Sequence, residues 1–293
     1  MTDLLYWGGP VTPSQARKVI WERPTAILSY GRDGSSANAQ LYRDLSAADG
    51  FAWRAMARKA GLDPDELGSL GIAGFSAFHG FGDAMLKNPT DRDRVCYVHL
   101  ADACFQGRLD TTPKRGYVEF AKLAADLNHG KLLVATTNGP WGANIHYCYD
   151  YGPPKGNVCY DLTSGARCMS FVWDSVMAEL GLTDADVWEP MPPGDVPAPT
   201  RAMAIGNFLW FHYESPDTSD PHGFHANVIA TPYMQHFGAP WMASLTYPGM
   251  PSQPSPDIVG LKSRSGTRTV IAVAAGAAAT LAAYVAWRRL RRT

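Results

Sequence analysis

The stretch SLGIAGFSAFHGFGDAML, residues 69–86, passes from a buried strand into a helix. Residues 69–75 form an apolar run bounded by a turn signal, which is typical of a strand covered on both faces. A helix is predicted from about Ala77 to Leu86. Gly74 and Ala77 are small, so the chain can turn sharply at Ser76 between them. Such a turn presents the serine at the edge of a sheet and aims the next backbone N–H groups at the same place.

The rest of the chain alternates apolar runs with stretches of helical spacing. Further strands are predicted at residues 25–31, 93–105, 131–139 and 205–215. Helices are predicted at residues 51–61, 116–130 and 168–181. This alternation predicts an α/β fold, in which a mostly parallel central sheet carries helices on both faces. Ligand sites in such sheets form beyond the carboxyl ends of the strands.

Three segments between these elements carry little regular signal. Residues 1–24 are interrupted by prolines and are predicted to be an irregular lead-in. The polar segment RDGSSAN, residues 32–38, is predicted to be a loop. The Gly-, Pro- and Tyr-rich residues 140–165 show no clear period and are predicted to be irregular as well.

Composition bounds the classes of function. The 293 residues are 46% hydrophobic and carry a formal net charge of −1, so a sizeable core is expected and nothing favours a nucleic-acid partner. The cysteines number five and form no CxxC pair, and a chain of this size does not need disulfide staples. Free, partly buried thiols are therefore expected, with a Cys148–Cys159 bridge as the alternative.

The C-terminal part divides into segments of distinct character. Residues 1–247 are predicted to form the folded domain, and the Pro- and Ser-rich residues 248–268 a linker. Residues 269–287 lack any charge and are just long enough, at ~1.5 Å per residue, to span a ~30 Å hydrocarbon layer. A basic tail follows at 288–293. The pattern predicts a single-pass membrane anchor of open orientation, with a buried or amphipathic helix as the alternative, and no secretory signal is predicted at the N-terminus.

The serine turn is followed along the chain by an acid and a histidine at strand ends. Asp102 follows the apolar core of the strand predicted at 93–105, and His225 lies in the loop beyond the last strand. The order strand, Gly74-x-Ser76, helix, acid and histidine resembles the α/β-hydrolase family across residues 25–240. The chain departs from the family's G-x-S-x-G pattern, because Phe78 stands where the second glycine belongs.

The resemblance implies a serine hydrolase that needs neither cofactor nor metal. Ser76 would be the nucleophile, His225 its general base, and Asp102 the acid that orients the imidazole. The backbone N–H groups of Ala77 and of Gly31 or Arg32 would bind the oxyanion. The substrate would be a small-molecule or lipid-like ester, or an amide.

Other residues compete for the same roles. His222 is the alternative base, and Asp110 and Asp217 are the alternative acids. His99 and His212 fall within predicted strands, where a role in the core or on a sheet face is expected. His79 follows the serine by one helical turn and is expected to line the pocket.

Two other classes of function remain open from the sequence. A metal hydrolase would use a cluster of metal-type ligands, namely His212, Glu214, Asp220, His222 and His225, although no HExxH motif is present. A non-catalytic interaction module would use the hydrolase-like domain as a structural or binding unit. Its protein partner would contact aromatic residues within 141–160 and 233–247.

Overall fold

Seven strands form a single sheet within the part of the chain that the structure describes. The computed structural model describes residues 2–8, 25–29, 35–138, 144–150, 156–190 and 199–214. The sheet contains β1 (Thr2–Gly8), β2 (Thr25–Ser29), β3 (Leu67–Phe75), β4 (Val95–Ala101), β5 (Leu132–Asn138), β8 (Arg201–Ile205) and β9 (Phe208–Tyr213). Their order is β2-β1-β3-β4-β5-β9-β8. All neighbours run parallel except β8, which pairs antiparallel with β9 at one edge. Strands β6 (Asn144–Asp150) and β7 (Asn157–Thr163) form a separate antiparallel hairpin.

Helices connect the parallel strands. They are α1 (Ser35–Asp49), α2 (Ala52–Lys59), α3 (His79–Lys87), α4 (Pro89–Arg94), α5 (Arg115–Ala125) and α6 (Gly165–Leu180). Two of these helices have an N-cap side chain that accepts a hydrogen bond from a backbone N–H group. Asn88 caps α4, which begins with a proline, and Ser164 caps α6. Gly181 ends α6 in the left-handed conformation, with φ of 64°.

The predicted α/β architecture with a mostly parallel sheet is confirmed, and each predicted strand overlaps an observed one, with β3 beginning two residues earlier than predicted. The last of them, residues 205–215, needs correction at its start. Gly206, with φ of 53°, forms the turn between β8 and β9, so Ile205 belongs to β8. The Gly206-Asn207 pair between apolar runs was a readable signal for a two-residue hairpin turn.

The irregular segments of the sequence analysis are partly wrong. Residues 2–8 form β1, which lies between β2 and β3, since the short run LLYW is apolar enough for a buried strand. A loop was predicted at 32–38, but helix α1 begins at Ser35. The buried face of α1 carries Leu41 and Leu45, which are four residues apart. Within 140–165, β6 and β7 contain the β-branched and aromatic residues that precede and follow the Gly- and Pro-rich sequence 151–156.

The two faces of the sheet are covered differently within the described residues. One face packs against buried side chains from α1, α2, α3, α5 and α6 in a single apolar cluster. The opposite face carries a second cluster, drawn from strand residues such as Tyr97, Val134 and Phe211, to which the described helices contribute no side chain. Helices were predicted on both faces of the sheet. The described residues place helices against one face.

The anchor predicted at 269–287 lies outside the described residues, together with the linker and the basic tail. Among the helices that the structure describes, none is both long and apolar enough to cross a membrane.

His99 is fully buried on β4, near the ring of Tyr97. This location agrees with the expectation of a core or sheet-face role. Burial lowers the pKa of His99 to about 3, because the charged imidazole would lose its hydration there.

The buried imidazole predicts acid sensitivity. The unfolded chain binds a proton at His99 below about pH 6.5, whereas the folded chain does so only near the lowered pKa. The contribution of neutral His99 to the free energy of unfolding is therefore fully present above about pH 6.5 and is lost as the pH falls toward 3. Across this window, the free energy of unfolding of a His99→Gln variant should fall by up to about 1.4 kcal/mol less per pH unit than that of the unaltered protein. Urea unfolding of both proteins at several pH values measures the difference, and parallel curves would contradict the assignment.

Candidate active site

Two strand ends bring the predicted nucleophile and acid side by side. Phe75, the last residue of β3, pairs in parallel register with Ala101, the last residue of β4. Ser76 and Asp102 are the next residues of each strand. Neighbouring strands lie ~4.8 Å apart, so the two backbones leave the sheet as immediate neighbours at its carboxyl edge.

The same edge continues across two further strands. Ala101 pairs with Thr136 of β5, and Thr137 pairs with His212 of β9. Because these strands are parallel, their carboxyl ends face the same side. Serine, carboxylate, threonine and histidine positions therefore follow one another along a single rim of the sheet.

The turn at Ser76 has the predicted strand-to-helix form. The backbone of Ser76 opens a 3-10 turn, Ser76–Phe78, immediately after β3, and α3 begins at His79. The helix proper thus starts two residues later than predicted. Ala77 lies in this first turn, where backbone N–H groups have no helical acceptor and are available to a ligand oxygen.

The departure at Phe78 has a structural explanation. The Phe78 side chain is 2% exposed, and its ring lies against Gly8 of β1 and Gly74 of β3. A Cβ atom added at Gly8 or Gly74 would lie 2.3 or 2.1 Å from that ring, and one at Gly82 would lie 3.0 Å away. Glycines surrounding Phe78 thus make room for the bulky side chain that replaces the second glycine of the α/β-hydrolase pattern.

Asp102 is held in an unusual backbone conformation. Its φ is +44°, and among the described residues it is the one non-glycine with positive φ. The residue is 3% exposed. Its N–H donates to the carbonyl oxygen of Thr136 at 2.7 Å, and its Oδ1 accepts the N–H of Asn138 at 3.2 Å. Such a conformation costs free energy, so the surrounding contacts must fix it.

The amino end of α6 abuts the Asp102 carboxyl group. A Cβ atom at Gly165, the first residue of α6, would lie 2.0 Å from Asp102 Oδ1 and 3.7 Å from Thr137 Cβ. Only glycine fits there without displacing the carboxyl group. The positive end of the helix dipole lies at the same place.

A disulfide between Cys104 and Cys168 ties the Asp102 loop to α6. The Cα atoms are 5.6 Å apart, and both residues are fully buried. The expectation of free thiols is wrong for this pair, because the fold brings together cysteines 64 residues apart in the chain. A loop of that length gives a stabilisation of about 4 kcal/mol in the chain-entropy description. The bridge lies two residues beyond Asp102 and three beyond Gly165, so it fixes both sides of the carboxyl group.

His212 belongs to a buried polar chain on the next strand pair. Trp210 Nε1 donates to Thr137 Oγ1 at 2.8 Å, and Thr137 Oγ1 lies 3.1 Å from His212 Nδ1. A hydroxyl group can accept two hydrogen bonds and donate one, so the direction of the bond between Thr137 and His212 follows the tautomer of His212. Burial lowers the pKa of His212, opposed by the charges of Glu214 and Asp102. A neutral, 1% exposed imidazole agrees with the sheet-face role expected for this residue.

Comparison of the chain with protein-family models, curated proteins and solved structures finds no match.

Several predicted site residues lie outside the described part of the chain. They are Gly31, Arg32, Asp217, Asp220, His222 and His225. Of the alternative acids, Asp110 is exposed, and its Oδ1 accepts the N–H of Thr112 at 2.9 Å in a surface turn. That role is an ordinary one for a turn aspartate. His79 is half-buried, and its ring lies 6.2 Å from that of Phe105 in the loop after Asp102.

Sequence reasoning missed the residues that hold the acid. Asn138 was readable as a polar residue at a strand end, and Ser164-Gly165 as a cap followed by a small first residue. Nothing in the sequence links either of them, or Cys168, to Asp102.

The metal-site alternative depends on a cluster of which the structure describes two members. No group of three His, Cys, Asp or Glu side chains suited to a metal occurs among the residues with described positions. His212 and Glu214 are within that part, and the remaining members of the predicted cluster are not.

Proposed function

We propose that this protein is a serine hydrolase of the α/β-hydrolase type that cleaves an ester or amide through Ser76, His225 and Asp102. The observation that carries the proposal is the parallel register of Phe75 with Ala101. Because Ser76 and Asp102 are the next residues of these two strands, their backbones are neighbours at the carboxyl edge of the sheet. The sheet order β2-β1-β3-β4-β5, with the serine turn after the middle strand, supports the same fold type.

The reaction would proceed in two halves. Ser76 Oγ attacks the carbonyl carbon while His225 takes the hydroxyl proton, and the N–H groups of Ala77 and of Gly31 or Arg32 bind the oxyanion. Collapse of the tetrahedral intermediate expels the alcohol or amine, which receives the proton from His225. Water then attacks the acyl-serine, gives its proton to His225, and the carboxylic acid leaves as Ser76 Oγ regains a proton.

Asp102 would orient the imidazole and stabilise its charged form. The contacts of Asp102 suit this role, because the hydrogen bond from the Asn138 N–H to Oδ1 fixes the position of the carboxyl group. The amino end of α6 lies against the same carboxyl group, since a Cβ atom at Gly165 would lie 2.0 Å from Asp102 Oδ1. A rigid, buried carboxylate is what such orientation requires.

The experiment is hydrolysis of chromogenic esters by the purified full chain. We expect turnover that a fluorophosphonate abolishes stoichiometrically and that a chelator leaves unchanged. Chelator-sensitive turnover that resists the fluorophosphonate would favour the metal hydrolase. No turnover and no fluorophosphonate labelling would favour the non-catalytic interaction module.

A Gly165→Ala substitution should reduce kcat about 10²-fold, because the added methyl group would lie 2.0 Å from Asp102 Oδ1 and displace the carboxyl group. Ester hydrolysis measured beside a Gly107→Ala control gives the comparison, since a Cβ at Gly107 has nothing within 4 Å. Equal kcat values for the two variants would show that the placement of Asp102 does not limit the reaction.

We further propose that residues 269–287 anchor the hydrolase to a membrane, on the strength of their uncharged length. Deletion of 269–293 should move the protein from the membrane fraction to the soluble fraction with esterase activity retained. Deletion of 289–293 alone is the matched control and should leave it membrane-bound. A truncated chain that stays in the membrane fraction would exclude the anchor.

A further inference from the structure

The hairpin β6–β7 carries two cysteines at one register position. The strands pair antiparallel from Asn144 opposite Thr163 to Asp150 opposite Asn157, and Cys148 lies directly opposite Cys159 near the middle. Opposed residues of an antiparallel pair have Cα atoms about 4.5 or 5.5 Å apart, depending on the type of pair. Both values lie within the ~4.4–6.8 Å range of Cα separations that a disulfide spans.

We propose that Cys148 and Cys159 form a second disulfide across this hairpin. The two thiols would lose two protons and two electrons, and the disulfide bond of a glutathione-type oxidant would accept them to give two free thiols. The buried Cys104–Cys168 bridge supports the proposal, because the oxidant that forms this bridge would serve the hairpin pair as well.

The pairing also accounts for the odd number of cysteines. With 104–168 and 148–159 joined, the fifth is Cys96, which lies on β4 within the sheet. The Cys96 thiol donates to the carbonyl oxygen of Leu70 on the neighbouring strand at 3.3 Å. The full chain would therefore contain two disulfides and one thiol.

The position of the hairpin gives the bridge a structural role. The hairpin is separate from the seven-stranded sheet, and an isolated two-stranded hairpin is marginally stable. Upstream lies Asn138, whose N–H binds Asp102, and β7 is followed by Ser164 and by Gly165, which contacts the same carboxyl group. A cross-strand bridge would stabilise the hairpin that connects Asn138 to Gly165, the two residues that contact the Asp102 carboxyl group.

Peptide mapping tests the bridge without reference to activity. Trypsin separates the two cysteines, since Cys148 falls in residues 132–155 and Cys159 in residues 156–167. The full chain is equilibrated with reduced and oxidised glutathione, its thiols are blocked with iodoacetamide, and it is digested without reductant. We expect peptide 132–155 linked to peptide 156–167, which separate on reduction. Peptide 95–108 should be linked to 168–201 through Cys104 and Cys168, with Cys96 alkylated.

Two variants sharpen the outcome. Cys148→Ser should release peptide 156–167 with an alkylated Cys159, whereas Cys96→Ser should leave the 148–159 link intact. Alkylation of Cys148 and Cys159 in the unaltered chain would overturn the proposal, as would a link from either residue to another cysteine. Neither result depends on the esterase reaction.

Discussion

The Ser76→Ala variant is expected to lose about 10⁶-fold of kcat for ester hydrolysis. Without the hydroxyl group no acyl-enzyme can form, and the remaining oxyanion donors give only the rate of a water attack at a bound ester. KM should change little, because the side chain removed is small. The backbone of the 3-10 turn at 76–78 accepts alanine, so the fold should persist.

Ser175→Ala provides the matched control, since Ser175 lies on α6 ten residues from Gly165 and its hydroxyl donates to the carbonyl oxygen of Phe171. It should hydrolyse the ester at the unaltered rate. Activity retained by Ser76→Ala within tenfold would remove Ser76 from the chemistry.

Asp102→Asn should reduce kcat about 10⁴-fold with little change in stability. The amide oxygen of asparagine can still accept the Asn138 N–H, so the positive-φ turn keeps its bond. The amide cannot balance the charge of an imidazolium, and its NH₂ group favours the wrong tautomer of the histidine. Thermal unfolding, recorded with the kinetics, separates loss of the carboxylate from loss of the fold.

Asp110→Asn is the control for the acid. Asp110 is exposed in the same loop and accepts a turn N–H, so its substitution should leave kcat near that of the unaltered chain. A large decrease of kcat in Asp110→Asn, with no decrease in Asp102→Asn, would show that Asp110 and not Asp102 is the acid.

The sheet was predictable where its strands are apolar on both faces. Strands β3, β4 and β5 lie in the middle of the sheet, and their unbroken apolar runs point to parallel strands. The hairpin β6–β7 was missed although apolar and aromatic residues recur at every second position of both strands, because the Gly- and Pro-rich sequence around them dominated the prediction. The strand β1 was missed because the prolines after it dominate the reading of the first 24 residues.

The neighbouring positions of Ser76 and Asp102 follow from a general rule, since parallel strands end at one edge. What holds Asp102 does not follow from any local pattern. Gly165 and Cys168 lie more than 60 residues away along the chain, and only the packing of α6 on the sheet brings them to the carboxyl group. The role of Gly74 also changed, since its missing side chain accommodates the Phe78 ring as well as the turn.

Labelling of the native full chain with a fluorophosphonate, followed by trypsin and mass spectrometry, tests the central claim most directly. Residues 60–87 form one tryptic peptide that holds two serines, Ser69 and Ser76. We expect one adduct per chain, placed by fragmentation on Ser76. Labelling should be at least about 10³-fold slower in Asp102→Asn, because the histidine loses the acid that orients it, and it should be absent from the urea-unfolded chain. No adduct on the native chain, or an adduct confined to a different serine, would contradict it.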